Sequence, residues 1–148
     1  MALEQGLTLR FLEGLLRAEF DLSADTTQTY KLALYSSAAA LSASTAAYTT
    51  EGEVVGTGYT AGGATLSISV GPTRGTTGAY MGFADPSWSA ASFSARGALL
   101  YLADGSENPS VLVLDFGADK TATVSQPFYV RMPPTTLATA LIRVIRRV

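Results

Sequence analysis

Residues 97–116 read GALLYLADGSENPSVLVLDF. Two runs rich in Leu, Val and Tyr flank a polar connection, and within that connection Asp104-Gly105 is a tight-turn nucleus. The pattern predicts a β-hairpin, with strands over residues 97–102 and 110–116 joined by residues 103–109.

The same reading extends in both directions. Upstream, Tyr30, Leu32 and Leu34 alternate with Lys31, Ala33 and Tyr35, the period of a half-buried strand. Residues 36–47 are nearly all Ala, Ser and Thr and fit either a loop or a loosely held edge. Leu66, Ile68 and Val70 alternate with small residues, and residues 79–84 form a further short strand candidate. Asp85-Pro86-Ser87 is a turn, because proline fixes φ and Asp favours turn entry. Trp88 and Phe93 are expected to anchor the core nearby. Downstream, residues 121–124 and 128–132 continue the strand pattern until Pro133-Pro134. Residues 141–148, LIRVIRRV, fit a final strand or a short helix. Short strands thus recur at intervals of 8–15 residues with turn signals between them. The expected fold is mostly β, a jelly-roll-like β-sandwich, over residues 26–148.

The first 25 residues have a different period. In LEQGLTLRFLEGLLRAEFDL, residues 3–22, Leu12, Leu16 and Phe20 recur every four residues, as do Leu7, Phe11 and Leu15. Arg10, Glu13 and Arg17 fall on the other side, and Glu13 and Arg17 form a favourable i,i+4 pair. This predicts an N-terminal amphipathic helix over residues 1–25. It either packs on its own domain or forms an arm that docks on another subunit. Gly6 and Gly14 weaken it, by up to about 1 kcal/mol each relative to Ala.

Composition narrows the chemistry. The 148 residues fit one domain and contain neither cysteine nor histidine. Disulfides, thiolate metal sites, a cysteine nucleophile and the usual neutral-pH base are excluded. Charged residues make up 15% of the chain, against about 25% in average proteins, and so sparse a charge favours association with a partner. The net charge of −2 hides a division. Residues 120–148 hold five basic residues (Lys120, Arg131, Arg143, Arg146, Arg147) and no acid, whereas residues 1–119 hold five basic and twelve acidic ones, a balance of −7. A basic end on an acidic body suits an acidic partner or a neighbouring copy. Arg143, Arg146 and Arg147 are too few to hold DNA other than weakly, so nucleic acid is not the expected partner. Neither a signal peptide nor a membrane-spanning run is legible.

Four glycines, Gly56, Gly58, Gly62 and Gly63, crowd the segment EVVGTGYTAGG at residues 53–63. A dinucleotide loop needs G-x-G-x-x-G before a helix whose N-terminus holds the pyrophosphate. Here the third glycine comes one place late, and the following ATLSISV reads as strand. A phosphate loop needs lysine where Ala64 stands. The loop is expected to make a bulge and a tight reversal instead. The tripeptide Asp115-Phe116-Gly117 lacks every other kinase element, and Asp115 is read as the cap of a turn. No histidine, cysteine or paired carboxylate supports catalysis, so no catalytic residue, metal or cofactor is expected.

Taken in order, YKLALYSS (30–37), EVVGTGYTAGG (53–63), ARGALLY (95–101) and VLDFGADK (113–120) resemble a family of small virion structural proteins of tailed bacteriophages. GTGYTAGG is the most specific of these motifs, and the resemblance spans roughly residues 30–132. It implies a β-rich particle component without enzymatic activity, made in the host cytoplasm and located in the virion. The leading expectation is a capsid decoration, or cement, protein that forms homo-oligomers and contacts the major capsid protein or neighbouring virion proteins. A head–tail junction or tail component is the alternative in the same class, and a carbohydrate-binding β-sandwich the alternative in another. Neither residues 1–25 nor the arginine-rich end matches the family pattern. The candidate interface residues are Leu7, Phe11, Leu12, Leu15, Leu16 and Phe20 at one end and Arg143, Arg146 and Arg147 at the other.

Overall fold

A computed structural model describes residues 3–147; the extremes of the expected arm (Met1, Ala2) and of the basic segment (Val148) lie outside the described residues. The architecture is mostly β with one helix, as a β-sandwich with an N-terminal helix requires. The elements are β1 (Gly6–Leu7), α1 (Leu9–Leu16), β2 (Tyr30–Tyr35), β3 (Ala64–Leu66), β4 (Ile68–Arg74), β5 (Gly78–Phe83), β6 (Ser87–Trp88), β7 (Ser94–Leu102), β8 (Ser110–Thr121), β9 (Phe128–Tyr129) and β10 (Ile142–Ile145). A five-stranded antiparallel sheet has the order β1-β8-β7-β2-β3. A three-stranded sheet, β10-β5-β4, and a two-stranded ribbon, β6-β9, complete the fold.

The hairpin is its centre. β7 and β8 pair antiparallel in the register Leu99↔Val113 and Leu100↔Leu112, and both strands run longer than the sequence indicates. Their connection is held by Asp104, whose Oδ1 accepts hydrogen bonds from the backbone N–H groups of Ser106 and Asn108, both at 2.9 Å. These two bonds, Asn108 first, hold the Asp104 carboxyl below the usual carboxylate range. The register slips between Leu100 and Tyr101, opposite Val111, and again beyond Gly97, where β8 bulges. Asp115 lies at that bulge, inside β8, and accepts from the N–H of Gly117 at 2.9 Å.

Both faces of the five-stranded sheet are covered. Leu32, Leu34, Leu100, Leu102 and Leu112 face one core, closed from the other side by Met81 and Phe83 of β5, Trp88 of β6 and Ile142 of β10. Ala33, Tyr35, Leu99, Tyr101 and Val113 face a second, smaller core with Leu3, Ala39 and Leu41. β2 is therefore buried on both faces rather than half-buried, which explains why its apolar residues run without a polar interval after Lys31. The Ala/Ser/Thr-rich segment after β2 is the cover of the second face. Isolated bridges tie it to Leu3 through Leu41 and to Pro109, just before β8, through Ala47.

The expected helical arm needs correction. The helix occupies only Leu9–Leu16, because Gly6 and Leu7 pair with Val113 and Leu112 as the sheet edge. Thr8 then serves as N-cap: its Oγ1 accepts from the N–H of Phe11 at 3.2 Å and lies 2.9 Å from Ser110 Oγ, in a fully buried polar junction. Arg17 caps the helix C-terminus and Ala18, at φ 58°, turns the chain after it, with Glu19 N–H bonded to the Gly14 carbonyl and Ala18 N–H to that of Leu15. Phe20 folds back under the helix, edge to face with Phe11 at 4.9 Å. Its ring lies where a side chain at position 14 would stand, so Gly14 permits this close approach instead of weakening the helix. Residues 3–25 thus belong to the body, with Phe11, Phe20 and Leu22 in the larger core.

Candidate functional site

The glycine segment closes on itself. Glu53 Oε1 accepts from Tyr59 OH and from the N–H of Gly62, both at 2.7 Å, and Oε2 accepts from Tyr48 OH at 2.6 Å. Tyr59 OH in turn accepts from the N–H of Leu34 at 2.9 Å, and Tyr101 OH donates to the Gly62 carbonyl at 2.8 Å. Tyr48 stacks on Tyr101 with ring centroids 4.7 Å apart. Burial, then the charge of Glu53, pushes the Tyr101 hydroxyl up to about 12; burial, then the hydrogen bond to Glu53, holds those of Tyr48 and Tyr59 above the ordinary phenol value. Gly58, Gly62 and Gly63 have φ of 80°, 93° and 78°, which is the geometric duty expected of them. Gly56 lacks positive φ, but a side chain there would sit 2.6 Å from the Ser92 carbonyl. A carboxylate already takes the Gly62 N–H that an anion would need, so the loop is a brace between β2 and β7 rather than a cradle.

The candidate interface residues divide. Phe11 and Phe20 are buried, and Leu7 and Leu15 are partly buried against the same core. These four are covered within one subunit. Leu12 and Leu16 are exposed, 43% and 91%, and Leu9, which the spacing argument did not select, joins them at 61%. Positions 9, 12 and 16 share one helix face, so α1 carries an apolar stripe turned away from its own core. Glu13, on the same helix, pairs with Arg17 at 2.9 Å, and Glu19 with Arg10 at 2.6 Å.

Residues 142–145 form the edge strand β10, one of the two forms that their periodicity allows. Ile142 is buried, whereas Arg143, Val144, Ile145, Arg146 and Arg147 are exposed. Arg143 donates to the carbonyls of Leu137 and Ala138. None of these arginines has a carboxylate partner among the described residues.

An open groove of about 460 Å³ that no sequence motif marks lies between β8 and β9. Leu114, Phe116 and Phe128 form its apolar floor, and Gln5, Lys120, Tyr129 and Arg131 its rim. The Arg131 guanidinium lies 5.0 Å from the centre of the half-exposed Tyr129 ring and bonds Asp85 at 3.2 Å. Phe116 and Phe128 belong to an aromatic chain that continues through Phe93 and Trp88 to Tyr59 of the glycine segment. The signal for it was present in Phe116, Phe128 and Tyr129, but only folding brings β8 and β9 together.

Among the described residues, no helix is long and apolar enough to cross a membrane. The chain matches no protein-family model, no curated protein and no solved structure.

Proposed function

We propose that this chain is a non-enzymatic structural protein of a tailed-bacteriophage particle, most concretely a capsid decoration protein. It ties neighbouring shell subunits by surface contacts; a place at the head–tail junction or in the tail is the alternative position. The observation that supports this reading is a closed double core whose exterior still exposes large apolar side chains, Leu9 and Leu16 on α1 and Val144 on β10. Exposed apolar groups at two separate places on a domain with few charges are the signature of contact surfaces. The four-segment resemblance supplies the particle. Quantitative gel or mass-spectrometric stoichiometry of purified virions tests it. A copy number on the scale of the shell lattice supports decoration, one on the scale of a single ring supports the neck or tail, and absence from the particle rejects the reading.

One observation favours a second reading. The groove formed by Phe116, Phe128 and Tyr129 offers aromatic faces beside polar rim groups, as sugar-binding β-sandwiches do. Glycan-array binding that is lost in Tyr129→Ala would favour a carbohydrate-binding module over a cement protein.

A further inference from the structure

The three-stranded sheet β10-β5-β4 reaches past the core that anchors it. Met81, Phe83 and Ile142 hold its base, yet no residue from 69 to 80 or from 143 to 147 is buried. This distal half is a tongue with Val70, Val144 and Ile145 exposed. It also carries Arg74, Arg143, Arg146 and Arg147 and no acid, whereas the remaining residues hold six basic and twelve acidic groups. The region around α1 has the opposite character. Glu13, Glu19 and Glu107 pair with Arg10 and Arg17, and with Glu4 and Asp21 flanking the helix in sequence the segment from 3 to 22 plus Glu107 holds five acids against two cations. The helix in this segment also carries the bare stripe of Leu9, Leu12 and Leu16.

We infer that the tongue of one copy of this chain docks on the α1 face of the next, in a head-to-tail arrangement. Each surface supplies what the other lacks, since apolar side chains meet apolar side chains and four guanidinium groups meet an acidic rim. Pairing of β10 with β10 of a second copy would instead bring two all-cationic tongues together, and that repulsion disfavours the symmetric edge-to-edge dimer. Duplex DNA would use the arginines but leave Val144 and Ile145 without a function, because phosphate contacts are polar. A head-to-tail contact uses two different patches, so it builds rings or open chains rather than closed pairs. The inference deepens the virion reading and specifies its homo-oligomeric contact, but it is testable on the isolated chain, independently of virion stoichiometry.

The experiment is sedimentation velocity of the full chain over a concentration series at low and high salt. Two double variants accompany it, Val144→Glu/Arg146→Glu on the tongue and Leu12→Glu/Leu16→Glu on α1. All four positions are exposed, so melting curves close to wild type are the control for folding. The wild-type mass should rise with concentration and fall as salt screens the charges. Each variant alone should be monomeric, and an equimolar mixture should form a heterodimer, because each variant retains the surface the other has lost. A wild-type chain that stays monomeric, variants that still associate, or a mixture that stays monomeric would each overturn the inference. So would duplex DNA binding, lost in the tongue variant, by a chain that never self-associates.

Discussion

Gly63 and Gly105 share a backbone conformation, with φ of 78° and 77°, but not a neighbourhood. A Cβ at position 63 would drive into the backbone carbonyl of Leu32, while one at 105 meets nothing within 4 Å. Gly105→Ala should therefore cost only the strain of positive φ, about 1 kcal/mol, and Gly63→Ala clearly more, in urea unfolding. Equal effects would mean that the glycine segment does not lie against β2 as described. Ala18 presents the inverse case, a residue with a side chain held at φ 58° to end α1. Ala18→Gly should raise stability by up to about 1 kcal/mol, read as a higher melting temperature. At this scale much was legible. The four glycines signalled geometry because no lysine and no following helix accompanied them. Glu53 as the anchor of the segment was not legible, since its partners Tyr48, Tyr59 and Gly62 meet only through the fold.

At the scale of elements, the β7–β8 hairpin was readable because its strands and its Asp-Gly turn are contiguous in the chain. The N-terminal helix was readable in kind but not in extent. The four-residue spacing that runs through Leu7 and Phe20 conceals a strand before Thr8 and a reversal after Ala18, and both depend on distant partners in β8 and the core. The distinction has a measurable consequence. Removing residues 1–22 deletes the buried side chains of Leu3, Phe11, Phe20 and Leu22, each worth ~1.5–3 kcal/mol. That loss rivals the whole stability of an ordinary domain, about 5–15 kcal/mol, so the truncated chain should fail to fold by circular dichroism. A detachable arm would leave a folded remainder. Leu16→Ser, by contrast, should change the melting temperature little, because its side chain is already in water.

At the scale of the whole molecule, the mostly-β class followed from strand spacing, but the covered second face of the main sheet did not. Its lid is the Ala/Ser/Thr-rich stretch, which has no periodicity, and only Leu41 and Tyr48 hinted at a packing role. That double burial has a consequence for pH. Tyr30, Tyr35, Tyr48, Tyr59 and Tyr101 are all held above the ordinary phenol value of 10.0, with burial the first cause in each. A raised pKa in the folded state means that stability is full below pH 10 and declines above it, as the unfolded chain ionises while the fold stays protonated. Stability should therefore fall steadily as pH rises from 10 to 12, and denaturation midpoints that stay level across this window would contradict the burial described. The proposed function belongs to the same scale, because it rests on exposed surfaces, the α1 stripe and the distal half of the β10-β5-β4 sheet. Electron cryo-microscopy of virions purified from cells that make this chain tests that proposal most directly. The account predicts the β-sandwich bound to the particle, with the α1 stripe and the arginine-bearing tongue covered by neighbouring subunits. A particle without the chain, or one in which both surfaces face solvent, would contradict it.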